Sequence, residues 1–250
     1  YNNTGASDAQ NAAGVWDSNF VGVWHLEEQS GTTHDDSTGV HDGVRNNNVY
    51  YPGEGRSAQT FDGSRDYVHI ADADALSLGS GGTDSAFSMT AWVVNDNGGS
   101  EYAEIVCRAG DDPDPFEYEF YLWNGRLTIS LYDNALDYVG VWAGSPIPAG
   151  WHHVTVTYDG SNSDTGMKLF TDGAEEGTSA VNSGRYDGMS NTDLPLRIGG
   201  WHTGDDDFTG EIDEVRISST VRSADWIEAS FLSQNGTFAF NTFGSEEAVP

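Results

Sequence analysis

The sequence predicts an all-β fold, a sandwich of two antiparallel sheets with one short C-terminal helix, and three observations carry that expectation. Apolar and polar residues alternate with period two in about a dozen short runs. Turn-forming residues, 31 glycines among them, separate those runs, and only one stretch carries helix signals. A chain of 250 residues can bury a core either as one large β domain or as two small ones. No internal repeat or low-complexity block divides it. One domain is therefore expected over residues 19–235, preceded by a linker or the end of another domain over 1–18 and followed by a tail or linker over 236–250. The opening YNNTGASDAQNAAG lacks signal-peptide character, and the chain reads as a segment of a longer protein.

In chain order the strand candidates are VGVWHL, AQTFDG, DYVHIA, FSMTAWVV, EIVCRA, EYEFYLW, RLTISLYD, YVGVWAG, HHVTVTYD, MKLFTDG, LPLRIGG and FTGEIDEVRIS. In FSMTAWVV, Phe87, Met89, Ala91 and Val93 share one face; in HHVTVTYD, Val154, Val156 and Tyr158 do. Such one-sided strands are what face-to-face sheet packing requires. WNGR and TDGA place Asn-Gly and Asp-Gly between strands, the favoured two-residue hairpin loops, so pairing there is antiparallel. RSADWIEASFLSQ reads as the helix. Ser223 can cap it, Asp225 sits near the positive end of its dipole, and Trp226, Ile227, Ser230 and Phe231 give a partly apolar face that packs on the sandwich as a lid.

Lys and Arg total 10 against 40 Asp and Glu, a net charge of −30. Nucleic acid and anionic membrane surfaces are poor partners on that ground. The acids are spread along the chain and Lys168 is the single lysine, a pattern suited to high salt, where the Debye length shrinks to about 3 Å at 1 M. An ordinary acidic secreted protein that holds calcium is the other reading. Cys107 is the one cysteine, so no disulfide closes within the chain, and its apolar run EIVCRA makes it a core residue. No apolar run approaches the ~20 residues that span a bilayer. No Gly-x-Ser-x-Gly elbow, phosphate loop or dinucleotide fingerprint is present, and the scattered histidines do not make a zinc site.

The ordered motifs VGVWHLEE, AQTFDGSRDYVHI, FSMTAWVV, GWHHVTVTYDG, MKLFTDGAEEG, LRIGG and FTGEIDEVRISSTVRSADW resemble those of LamG-like, concanavalin A-like jelly-roll domains, the laminin G and pentraxin superfamily. The resemblance spans roughly residues 21–231. It implies two curved antiparallel sheets, a concave face that often binds glycans, and frequently one bound calcium. Members include binding modules, adhesion domains and appendages of polysaccharide-degrading enzymes.

Three carboxylates, Glu211, Asp213 and Glu214, crowd the strand FTGEIDEVRI. The lichenase and laminarinase type of glycoside hydrolase shares the fold and uses a strand motif that begins Glu-Ile-Asp, with a second Glu four positions after the first. A retaining glycosidase needs two carboxyls ~5–5.5 Å apart, hence on one strand face. Here the residue four after Glu211 is Val215, and Glu214 points to the other face unless a bulge intervenes. No catalytic residue is assigned.

Alternation back from Val215 and Ile217 puts Asp213 on the inward side, where a carboxylate needs a partner. The resemblance implies a calcium ion held by Asp213 with the backbone at Gly63, and with Glu27 or Asp62; the alternative partners are backbone N–H groups or an arginine such as Arg216. In pentraxins a loop placed like WHTGDDDF supplies carboxylates to a ligand-binding calcium, which implies Asp205, Asp206 or Asp207 together with Asp66. A solvated acidic loop is the alternative. AGDDPDPFEYE reads as an extended exposed loop without an EF-hand pattern.

Eight Trp and eleven Tyr exceed what a sandwich core demands, and sugar rings stack on exposed aromatic faces. On EFYLWNG, alternation turns Phe120 and Leu122 inward and Tyr121 and Trp123 outward, while Trp201 and His202 sit at a loop mouth. With Asp66 and Asp205 these are the candidate ligand-binding residues. His152 and His153 belong to the GWHHV signature of the family and read as structural. The expected function is a non-catalytic carbohydrate-binding or adhesion module, calcium-stabilised and salt-adapted, on a secreted or cell-surface multidomain protein whose partner is a polysaccharide or cell-surface glycan. The alternatives are a polysaccharide hydrolase or lyase on the same jelly roll and an architectural, protein-binding spacer.

Overall fold

The computed structural model describes residues 15–53, 56–96, 101–110, 115–201 and 206–236. The early strands are β1 (Phe20–Trp24), β2 (Thr33–His34), β3 (Gly43–Asn46), β4 (Val49–Gly53), β5 (Arg56–Asp62) and β6 (Tyr67–Ile70). The central ones are β7 (Phe87–Asn95), β8 (Tyr102–Ala109), β9 (Phe116–Trp123), β10 (Arg126–Tyr132), β11 (Tyr138–Ala143) and β12 (His152–Tyr158). They are followed by β13 (Met167–Thr171), β14 (Ala174–Glu175), β15 (Thr178–Asn182), β16 (Leu196–Ile198), β17 (Thr209–Ser218) and the helix α1 (Ala224–Gln234).

An eight-stranded sheet runs β14-β13-β12-β7-β17-β5-β4, with β1 also paired to β17, and a nine-stranded sheet runs β15-β11-β10-β9-β8-β16-β6-β3-β2. The ladders are antiparallel, as in the pairs β12 with β7 and β9 with β10. The two sheets meet through the faces that alternation marked as apolar. Phe87, Met89, Ala91, Val93, Val154 and Val156 come from one, and Phe120, Leu122, Leu127 and Ile129 from the other. Each large apolar side chain buried there stabilises by about 1.5–3 kcal/mol. The chain is the two-sheet sandwich that its alternation predicts.

Both hairpins form on their expected residues. Asn124 and Gly125 take φ of 49° and 75°, and Asp172 and Gly173 take 52° and 80°. Positive φ at both central positions matches the turn to the right-handed twist of the strands it joins. Ser223 caps α1 by accepting a hydrogen bond from the Trp226 amide at 3.2 Å. The helix lies on the outer face of the eight-stranded sheet, where Phe231 stacks on Trp92 with centroids 5.7 Å apart. On that same outer face, Lys168 of β13 pairs with Glu175 at 2.9 Å and stays about half exposed.

One strand departs from simple alternation. Ile212, Val215 and Ile217 of β17 all reach the core, a spacing of three followed by two. The odd residue is Glu214, whose φ of 53° is left-handed, and the register against β7 shifts between Asp213 and Arg216. This bulge reverses the expected direction of Asp213. With Ile212 inward and the extra residue inserted after it, Asp213 faces outward beneath the end of α1.

Candidate functional site

Beneath the end of α1, a polar hollow of about 470 Å³ is lined by His25, Glu27, Arg56, Asp213, Glu214 and Gln234, among others. Arg56 Nη1 donates to Asp213 at 2.7 Å and Nη2 to the Gln234 carbonyl at 2.8 Å, while the guanidinium stacks 3.9 Å above the Trp92 ring. Burial and the neighbouring Glu214 carboxylate push Asp213 up to about 7, and the Arg56 hydrogen bond pulls the other way. Glu214 contacts His25 at 2.7 Å and also pairs with Arg216. Burial alone would raise Glu214, but the His25 hydrogen bond and the Arg216 charge outweigh it and hold that carboxyl at about 2. Each acid of this strand end is therefore tied to a cation on the protein, and the tying residues are structural.

The four expected calcium ligands do not converge. Glu27 and Asp213 share the hollow, but Asp62 lies opposite Thr209 at the other end of β17, four residues or about 13 Å from Asp213, and Gly63 follows it. Asp213 already spends one oxygen on a guanidinium, a poor neighbour for a divalent cation. These residues do not fit the ion. Among the described residues no three His, Cys, Asp or Glu side chains stand close enough to share a metal.

The second acidic region is built from loop amides. Asp66 accepts from the Asp62 amide at 2.9 Å, and Asp207 accepts from the Trp201 amide at 2.8 Å and from the Arg65 amide. Burial raises Asp66, with the charges of Asp62 and Asp207 adding to it. His202 and Asp205 lie outside the described residues, as do residues 111–114 of the third acidic loop. The GWHHV pair is structural: His152 contacts Asp172 at 2.8 Å, and His153 is buried against Trp92, with burial pushing it down to about 3. Cys107 is buried and donates to the Gly200 carbonyl at 3.4 Å.

The other face of the molecule carries an aromatic cleft. The alternation that sends Phe120, Leu122, Leu127 and Ile129 into the core turns Tyr121, Trp123, Ser130 and Tyr132 outward on the nine-stranded sheet. Tyr102 from β8 and Tyr138 and Trp142 from β11 join them around a cleft of about 300 Å³. Register explains the grouping: Tyr102 lies opposite Trp123, and Tyr132 opposite Tyr138. Trp123 and Trp142 stack with centroids 4.7 Å apart, and Tyr102 stacks on Tyr121 at 5.9 Å. Gly140, between Tyr138 and Trp142, has no side chain to fill the floor. The Tyr121 and Ser130 hydroxyls stand 3.2 Å apart, a polar spot among the rings. Trp201 reaches this group through Phe116, which touches Trp201 at 5.3 Å and Tyr132 at 5.1 Å.

Sequence reasoning found Tyr121, Trp123 and Trp201 but missed Tyr102, Tyr132, Tyr138 and Trp142. The signal was present in RLTISLYD and YVGVWAG, whose outward positions hold Ser130 and Tyr132, and Tyr138 and Trp142. It becomes a cleft only once those strands are known to be neighbours.

Solved structures with the same arrangement of sheets include the binding domain of Paraclostridial Mosquitocidal Protein 1, with a TM-score of 0.64 at 16% identity over 86% of this chain and 52% of that one. The botulinum neurotoxin serotype G binding domain gives 0.65 at 14% identity, over 88% of this chain and 52% of that one. The chain thus spans about half the length of these two toxin domains. Domain 4 of AbnA, a GH43 extracellular arabinanase from Geobacillus stearothermophilus in complex with arabinotriose, gives 0.57 at 17% identity, over 84% of this chain and 97% of that one. No curated protein matches the sequence. Residues 62–228, two thirds of the chain and the part that contains the cleft and most of the core, match a family description, and the chain belongs to the concanavalin A-like lectin/glucanases superfamily.

Proposed function

We propose that the chain is a non-catalytic carbohydrate-recognition module that holds a polysaccharide or cell-surface glycan in the cleft of the nine-stranded sheet, as part of a secreted or cell-surface multidomain protein. The observation that carries this reading is the convergence of six aromatic side chains, Tyr102, Tyr121, Trp123, Tyr132, Tyr138 and Trp142, from four strands onto one open face. Aromatic surface of that extent is unusual on a solvent-facing sheet, and flat rings offer apolar area to the C–H faces of sugars while hydroxyls such as Ser130 satisfy their polar rims. The arabinanase domain, which is covered almost end to end and carries arabinotriose, supports the same reading. On the opposite side of the sandwich the acids are committed to Arg56, His25 and Arg216, which supports a recognition role over hydrolysis there.

The test is a binding screen against plant and microbial polysaccharides, including arabinan, followed by analysis of any bound polymer for cleavage products. Binding without products, weakened roughly 30-fold by Trp142→Ala, is the expected result. Released oligosaccharides would make the chain an enzyme, and binding left unchanged by loss of the Trp142 ring would move the site elsewhere.

A further inference from the structure

The aromatic rings leave two carboxyl groups of the same sheet face unexplained. Glu104 of β8 lies opposite Tyr121, and Glu119 precedes Tyr121 by two positions on β9, so both share its side of the sheet. They are buried, at 2% and 6% exposure, and Glu104 Oε2 has no hydrogen-bond partner among the described residues. Glu119 Oε2 accepts from the Tyr132 hydroxyl at 2.6 Å. The groups facing the pair add little positive charge. Asp206 contributes negative charge, β10 offers the neutral Ser130 and Tyr132, and Cys107 lies beside them on β8. Arg197 of β16, opposite Cys107, directs its guanidinium to the Ala109 carbonyl and the Tyr67 ring. Among the described residues that line the cleft there is no Lys, Arg or His.

The Tyr132 hydroxyl carries one proton. Donated to an ionised Glu119, that proton leaves the oxygen with only lone pairs to offer a ligand. The cleft then presents an acceptor backed by buried negative charge, in surroundings where charge is poorly screened. A sugar hydroxyl can donate to it. A carboxylate or sulfate cannot, and is repelled.

We propose that the cleft selects uncharged saccharides over acidic ones, and that Glu119, acting through the Tyr132 hydroxyl, sets that selectivity. The inference rests on the cleft being the sugar site. Glu119 is a positioning residue, since Tyr132 is the group that meets the ligand.

A net charge of −30 repels acidic polymers from the whole surface, so the measurement belongs in 1 M NaCl, where screening acts beyond about 3 Å. At pH 8.5 the wild type, Glu119→Gln and Tyr132→Phe are titrated with neutral polysaccharides (arabinan, xylan, mannan and β-glucan) and with polygalacturonate and alginate. The wild type is expected to bind its best neutral polymer at least about tenfold tighter than either polyuronate. Glu119→Gln is expected to shrink that ratio to below about threefold by relieving the repulsion, and Tyr132→Phe, which keeps the ring and the Glu119 charge but removes the acceptor, to shrink it by weakening the neutral polymer about tenfold, even if the glutamine variant does not fold. A ratio unchanged in the folded variants, or polyuronate bound by the wild type as tightly as neutral polymer, overturns the selectivity and leaves the sugar site standing. No binding to either set overturns both.

Discussion

Arg56 ties together three parts of the fold, and replacing it with methionine separates their contributions. The substitution removes the ion pair to Asp213 at 2.7 Å, the hydrogen bond to the Gln234 carbonyl at 2.8 Å, and the stacking 3.9 Å above Trp92. The hydrogen bond and the stacking are each worth about 1 kcal/mol, so about 2 kcal/mol is lost at any pH. The Asp213 share depends on pH. In the wild type this carboxyl is pushed up to about 7, above its value of 3.8 in an unfolded chain, so wild-type stability falls as pH rises through that window and then levels off. Without the guanidinium the folded value rises further, and the variant goes on losing about 1.4 kcal/mol for each pH unit above 7. The total is about 2 kcal/mol at pH 5.5 and about 4 kcal/mol at pH 8.5, the latter within the range for breaking one side of a buried pair. Urea unfolding at the two pH values reads this directly, and by calorimetry the larger loss is a Tm drop of roughly 8–16 °C. Adding Asp213→Asn should remove the pH-dependent part alone. Equal losses at both pH values, or none at pH 8.5, would refute the pairing and reopen the question of what holds Asp213.

Three further outcomes are expected. Trp123→Ala and Trp142→Ala each remove one ring of the stacked pair and should weaken polysaccharide binding by about 2 kcal/mol, roughly 30-fold, with little change in the unfolding midpoint because both rings are only partly buried. Burial lifts Glu119 to about 7, above its unfolded value of 4.5, so stability contributed below pH 4.5 is lost as pH rises to 7. Measured as a difference in unfolding free energy, Glu119→Gln should gain on the wild type by about 3 kcal/mol across that window. Gly210 holds φ at +134° with the Val94 carbonyl where a Cβ would go, and Gly210→Ala should cost about 3 kcal/mol by denaturant unfolding.

Period and turn chemistry made most of the architecture legible. Met89 and Val93, Val154 and Val156, and Phe120 and Leu122 all point where alternation put them, because a residue that faces the wrong sheet surface exposes apolar area at every second position. Asn124-Gly125 and Ser223 are equally local signals, read from a few neighbouring residues. Asp213 shows where this reasoning ends. A non-glycine bulge at Glu214 has no sequence signature, and the partner that compensates it, Arg56, stands 157 residues away in the chain. The cleft is a similar case. Tyr121 and Trp123 were visible as outward rings on one strand, whereas Tyr102, Tyr138 and Trp142 join them only through the order of strands in the sheet, which alternation does not encode.

The Lys168 side chain has a practical consequence. It is the only primary amine on any side chain of this protein, it is half exposed, and it lies on the outer surface of the eight-stranded sheet, whereas the aromatic cleft opens on the outer surface of the other. Amine coupling to a bead, a sensor surface or a fluorophore, run where the chain's α-amine is blocked, therefore has a single address. Every molecule would be fixed in one orientation, with its cleft turned toward the solution.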